Sequence, residues 1–276
     1  MTMSNPGYLL PRLGRHFLPA EIVNFLLDRR FIIKPGLETS SPELAVQRYI
    51  NVLNQHSIPY VGKQIMIFGY GGNLTIGCLL LQAGAQKVFL CEREGFRKVT
   101  IPESLVVRFP EFFRKVQGKN IPFPELISIY HQDLSNLVIN QKIKKSDLIL
   151  SSSVFEHLSQ PEQVTATLVQ LTASNGVHLH FIDLRDHFFK YPFEMLCYTD
   201  KTWKNWLNPT SNLNRMRISD YRQMFEKFFD HVTIDATETD RAAFSRIKTR
   251  ILPQFKSGDD NLDCVTQISL IARKPK

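Results

Sequence analysis

The stretch IMIFGYGGN, residues 65–73, decides the fold. An apolar run of strand character stops in a turn with glycine at 69, 71 and 72, and a helix pattern, NLTIGCLLLQAGA, begins at once. Glycine lets a backbone bend sharply and lets another group touch it. A helix that starts there points its unpaired N–H groups and partial positive charge at whatever occupies the turn. The occupant can be a phosphate, a sugar or a neighbouring backbone, and only the downstream sequence can choose among them.

Working outward, KVFLCE, LISIYHQ, SDLILSSS and VHLHFIDL read as further strands, continuously apolar rather than alternating. Helical segments separate them, including RKVTIPESLVVRFPEFF before the third strand and QPEQVTATLVQLTASNG, which is expected to end at a Gly176 C-cap. Continuous apolar strands alternating with helices predict a parallel sheet covered on both faces. SDYRQMFEKFF predicts a helix capped by Ser219, and HVTIDAT and VTQISLIARKP two last strands that close the sheet as an antiparallel hairpin. The expected fold is α/β, Rossmann-like and doubly wound, with a mainly parallel seven-stranded sheet and an antiparallel last strand. Residues 1–60 are expected to form a helical N-terminal cap, from PAEIVNFLLDRR and from SSPELAVQRYINVLNQH with Ser41 as N-cap, joined by a linker, FIIKPGLETS. Residues 61–276 then form the main domain, with a lid insertion at about 185–217 that carries both tryptophans, Trp203 and Trp206.

Bulk properties exclude several classes. With 43% hydrophobic residues among 276, the chain can bury a large core. No run of 18 uncharged apolar residues predicts a membrane span, and the first residues do not read as a secretory signal. Cys78, Cys91, Cys197 and Cys264 are scattered, with no CxxC pair, which argues against a disulfide framework or a zinc site and for a cytoplasmic setting. The net charge of +8 is spread along the chain. Its densest cluster, Lys142, Lys144 and Lys145, reads as a solvated turn, so neither nucleic acid nor a membrane is expected as partner.

About twenty residues past the glycine turn, the second strand ends in Glu92, where a carboxylate can accept two hydrogen bonds from a ribose diol. Asp133 follows the third strand and can accept from an adenine amino group, or simply cap a short helix. Leu74 stands where the dinucleotide pattern G-x-G-x-x-G needs its third glycine. FGYGGN, Glu92, Asp133, LILSSSVFEHL and the tail ISLIARKP together resemble the class I S-adenosylmethionine-dependent methyltransferases, over roughly residues 60–276. HFIDLRDHF with NRMRISDY is similar to a small-molecule branch of that family. Two features depart from its pattern: Ile67 stands where an acid is common, and Asn73 replaces a glycine. The resemblance implies S-adenosylmethionine as cofactor, held by Gly69, Tyr70, Gly71, Gly72, Asn73, Glu92, Asp133, Leu134 and Ser152, and a small-molecule acceptor. A nicotinamide-dependent oxidoreductase, a cyclase or lyase that uses the same cofactor, and a non-catalytic binding module stay open, as does a homodimer.

For the acceptor, the polar exits of the fourth and fifth strands stand out. His187 can act as a base, with Asp183 and His157 as further catalytic candidates. Glu156, Arg185, Asp186, Asn214 and Arg215 are candidates for holding the acceptor, Arg185 as a bidentate clamp. The competing reading of 183–187 is an ion-paired loop. Glu156 and His157 alone supply too few ligands, so no metal is expected. His178 and His180 share one face of a strand and read as packed and hydrogen-bonded, and the tryptophans as anchors of the insertion.

Overall fold

The computed structural model describes residues 5–17, 40–93, 100–139, 144–188, 190–208 and 212–276. The helix expected over 19–30, most of the 31–40 linker and Lys142 of the lysine cluster lie outside them.

Helix α1 (Pro6–His16) precedes α2 (Pro42–Gln55). Then follow β1 (Gln64–Phe68), α3 (Thr75–Gln82), β2 (Lys87–Glu92), α4 (Glu103–Arg108), β3 (Phe113–Val116), β4 (Lys119–Pro122), β5 (Ile127–His131) and α5 (Leu134–Ile139). The remainder is β6 (Ser146–Ser152), α6 (Pro161–Gln170), β7 (Thr172–Asp183), α7 (Ile218–Glu226), β8 (Phe229–Thr239), α8 (Arg241–Ile247) and β9 (Val265–Pro275). The large sheet runs β5-β2-β1-β6-β7-β9-β8, with every pairing parallel except those of β9. With its strands renumbered along the chain the order is 3-2-1-4-5-7-6, and only the seventh is antiparallel. This is the Rossmann-like, doubly wound architecture expected from the sequence, a mainly parallel seven-stranded sheet with an antiparallel last strand.

Side-chain alternation explains the two covered faces. Ile65 and Ile67 of β1 enter one core with Ala45, Val46, Tyr49 and Leu53 of α2, while Met66 between them enters a second core with Leu168 of α6 and Phe225 of α7. Helix α2 therefore shares its core with the sheet. A third core joins Tyr8 of α1 to Phe193, Trp203 and Leu213 of the insertion and Phe244 of α8.

Three local expectations are corrected. Gly176 caps no helix: α6 stops at Gln170, and Gly176 lies inside β7, which pairs with β6 from Thr172 onward around a bulge. A Cβ there would sit 2.5 Å from Cγ2 of Thr172 and 2.9 Å from the Ala173 carbonyl, so crowding at the bulge demands glycine. Ser219 does not cap α7. Arg217 holds the N-cap position, and its N–H donates to the Asp220 carboxylate at 2.8 Å. The helical reading up to residue 113 ends early, because Phe113 opens the β3–β4 hairpin.

His178 and His180 are fully buried on β7. The Thr172 hydroxyl donates to the Leu168 carbonyl at 2.6 Å, so it accepts from Nε2 of His178 at 2.8 Å. Nδ1 of His178 then accepts from Nε2 of His180 at 3.3 Å, and Nδ1 of His180 accepts from the Ser151 hydroxyl at 2.8 Å. The network assigns one proton to Nε2 of each neutral ring and leaves no place for a second.

Burial pushes His178 down to about 3 and His180 well below the ordinary imidazole value, the latter helped by His178. In the unfolded chain both take up a proton near pH 6.5, so between that pH and the folded values the unfolded state binds more protons. Stability should therefore fall as pH drops from 7 to 5. In urea unfolding, His178→Gln is expected to flatten that dependence by up to about 1.4 kcal/mol per pH unit. Equal slopes for the variant and the wild-type chain would remove the histidine from this account.

Candidate functional site

The glycine turn forms as a left-handed passage, with φ of +80° at Gly69, +65° at Gly71 and +80° at Gly72. Gly69 is required by a protein contact, since a Cβ there would lie 2.4 Å from Cγ2 of Val154. The exit of β1 thus touches the segment that leaves β6. Glu92, at the end of β2, accepts from the N–H of Gly71 at 3.2 Å through one oxygen and from Arg93 at 3.1 Å through the other. A carboxylate oxygen can accept more than one hydrogen bond, so Glu92 both braces the turn and retains capacity for a diol. Asn73 accepts from the Thr75 N–H at 3.0 Å and so supports the start of α3.

Other expected cofactor contacts are placed differently. The Tyr70 ring is fully buried, stacks on His131 and shares a 2.6 Å hydrogen bond with it, and Leu134 packs its side chain in the second core. Both have only backbone to offer a ligand. Asp133 caps α5, accepting from the Ser135 N–H at 2.9 Å and hydroxyl at 2.7 Å, and these bonds hold its carboxyl below the usual range. Ser152 is buried at the end of β6, two residues before Val154.

The exits of β6 and β7 do converge. Glu156, His157 and His187 bring their ligand atoms within 4.8 Å of one another, and the two imidazole rings meet edge to face at 4.7 Å. Burial, then His157, pushes His187 down to about 4, so its ring is neutral at pH 7. Glu156 is 4% exposed. Its turn is strapped from behind: the Asn214 N–H donates to the Glu156 carbonyl at 2.9 Å, and the Asn214 amide donates to Phe155 and Leu158 carbonyls at 2.7 and 3.2 Å.

The remaining acceptor-site candidates make contacts within the scaffold. Arg185 chelates Asp183 through Nε and Nη2 at 2.7–3.2 Å and reaches Glu238 at 3.4 Å, which is the ion-paired loop that competed with a substrate clamp. Asp186 is fully buried and accepts from the Tyr8 hydroxyl, the Arg12 guanidinium and the Phe188 N–H. Burial raises its pKa, and Arg12 draws it back. Arg215, in left-handed backbone at φ +62°, donates to the Met195 and Tyr198 carbonyls at 2.9 and 2.7 Å and pairs with Asp200, its guanidinium over Trp203 and Phe255. Trp203 is buried and donates to the Leu213 carbonyl at 3.0 Å, as an anchor does, whereas Trp206 is half exposed.

Sequence reasoning missed Tyr8 and Arg12. Their helical spacing, four apart on α1, was legible, but the acid they serve lies more than 170 residues away.

No protein-family profile and no curated protein matches the chain. Solved structures of similar shape include a candidate O-methyltransferase from Nostoc punctiforme, with 16% identity, 83% of this chain and 56% of that one covered, and a TM-score of 0.45. The chain therefore spans little more than half of that protein. An S-adenosylmethionine-dependent methyltransferase from Mesorhizobium loti overlaps 86% of this chain and 99% of its own at 14% identity and a TM-score of 0.43. Magnesium protoporphyrin IX methyltransferase from Synechocystis, with S-adenosylhomocysteine bound, overlaps 83% and 82% at 16% identity and 0.42.

If Arg215 is a scaffold residue, Arg215→Ala should cost about 3 kcal/mol of stability, because it strips buried carbonyls and Asp200 of their donor. Cofactor affinity should stay within about threefold, or 0.6 kcal/mol. Thermal unfolding and calorimetric titration report the two effects separately. A stable variant that loses ligand binding would return Arg215 to the site.

Proposed function

We propose that the chain is an S-adenosylmethionine-dependent methyltransferase acting on a small-molecule acceptor. The observation that supports it best is the contact between two strand exits: the glycine turn braced by Glu92 packs, through Gly69 and Val154, against the segment that carries Glu156 and His157. A cofactor cradle and a polar cluster lie side by side at the carboxyl ends of parallel strands, where such sheets keep their sites. The 3-2-1-4-5-7-6 strand order favours this reading over a nicotinamide-dependent one, as a fold-level analogy.

The residues present fit the cofactor. The Gly69–Gly72 backbone can approach a nucleoside closely, Glu92 can receive its ribose hydroxyls, and Ser152 lines the exit beside them. When bound, S-adenosylmethionine supplies a methyl group already activated by its sulfonium. What the chain must contribute is alignment and exclusion of water. Helix α1 and the insertion, locked together through Asp186 and Trp203, can cover the β6 and β7 exits. His187, neutral at pH 7, can take a proton from an acceptor hydroxyl or amine.

Calorimetric titration with S-adenosylmethionine, S-adenosylhomocysteine and the nicotinamide dinucleotides tests the reading, and product analysis with a methyl-labelled cofactor separates transfer from lysis or cyclisation. Glu92→Ala should weaken S-adenosylmethionine binding by ~1.5–3 kcal/mol, the range for hydrogen bonds to a charged group. Because Glu92 also holds the Gly71 N–H, Glu92→Gln, which keeps an acceptor, should lose less. Undiminished affinity in a folded Glu92→Ala variant would sink the assignment.

A further inference from the structure

We propose that Glu156, His157 and His187 form a binding site for a divalent transition-metal ion, with zinc or iron(II) as the fitting cations. Their three ligand atoms already lie within 4.8 Å of one another, although His187 comes from a different strand exit thirty residues downstream. Ligands bonded at about 2.0–2.1 Å in a tetrahedron stand roughly 3.3 Å apart, so small side-chain rotations close the set. Two imidazoles and one carboxylate suit borderline-soft cations rather than calcium or magnesium, which take mostly oxygen. Three protein ligands leave a position open for water or for an oxygen or nitrogen of a bound molecule.

The surroundings hold these ligands in place. Asn214 fixes the turn of Glu156, and the Asn212 amide donates to the His157 carbonyl. His187 follows Asp186, which Tyr8 and Arg12 lock from α1. Supporting contacts of this kind orient metal ligands. Glu156 is almost wholly buried, and a cation beside it offsets the cost of keeping a carboxylate out of water. The inference goes beyond methyl transfer. Only its corollary, that the acceptor is a molecule able to coordinate the cation, rests on that reading.

The test uses the full chain, freed of metal with a chelator and without cofactor or acceptor, so that failure of the site and failure of the methyltransferase reading are distinguishable. Zinc titrated calorimetrically, with bound metal counted after gel filtration, should give one ion per chain. His157→Ala and His187→Ala should each weaken binding at least tenfold. Glu156→Gln should do the same, with thermal unfolding as its folding control. In the unaltered chain, cobalt(II) should show the visible bands of a nitrogen and oxygen site. Zinc affinity unchanged in the His157→Ala/His187→Ala double variant, no saturable zinc binding by the wild-type chain, or a cobalt–thiolate charge-transfer band would each overturn the proposal.

Discussion

A carboxylate taken wholly out of water needs donors and positive charge around it. Asp186 finds them in the Tyr8 hydroxyl, the Arg12 guanidinium and the Phe188 N–H. Those contacts draw α1 from the start of the chain onto the segment that leaves β7. Tyr8 then stacks on Phe188 and Tyr198, and the Arg12 guanidinium lies 4.9 Å from the centroids of both the Tyr8 and Trp203 rings. The next residue after Asp186 is His187. The position of His187 is thus tied to the docking of α1 through the residue before it.

The insertion over 185–217 is held by a second device of the same kind. Among its described residues it has only short helical turns, so many of its carbonyls need partners from elsewhere. Arg215 supplies two of them, and Arg217 ties the end of the insertion to carbonyls outside it. Arg217 donates to the carbonyls of Leu184, Asp263 and Val265 while buried so deeply that its pKa falls to about 10, and Arg215 serves Met195 and Tyr198. Planar guanidinium forks suit carbonyls that diverge in space. The aromatic richness that reads as a lid in the sequence is thus a packed layer pinned by cations, and only Trp206 of its two tryptophans reaches solvent.

The glycine turn shows how one residue pattern can carry two meanings. GYGG at a strand exit reads as a place for a ligand, and its left-handed backbone fits that reading. Yet Gly69 is glycine because Val154 occupies the space beside it, and the carboxylate of Glu92 is already engaged by the turn. Asp133 likewise caps its own helix. These residues organise the cradle before any ligand arrives, which limits the reorganisation that binding must cost.

The sheet was legible in the sequence because its signals are local: continuous apolar strands, glycine at the first exit, and helices between. Those patterns determine the mainly parallel sheet, the closing antiparallel strand and the position of the glycine turn; the strand order itself comes from the tertiary structure. The polar residues after β6 and β7 were legible as candidates, but their roles were not. Charge and residue type say that Arg185, Asp186, Asn214, Arg215 and His187 are costly to bury; they do not say which partner offsets that cost. Tertiary structure shows the contacts that Arg185, Asp186, Asn214 and Arg215 make within the fold, and it brings His187 to Glu156 and His157. Apart from the local Arg185–Asp183 pair, such partners lie 15 to 178 residues away, and the pairing depends on side-chain directions set by packing, which no local spacing encodes.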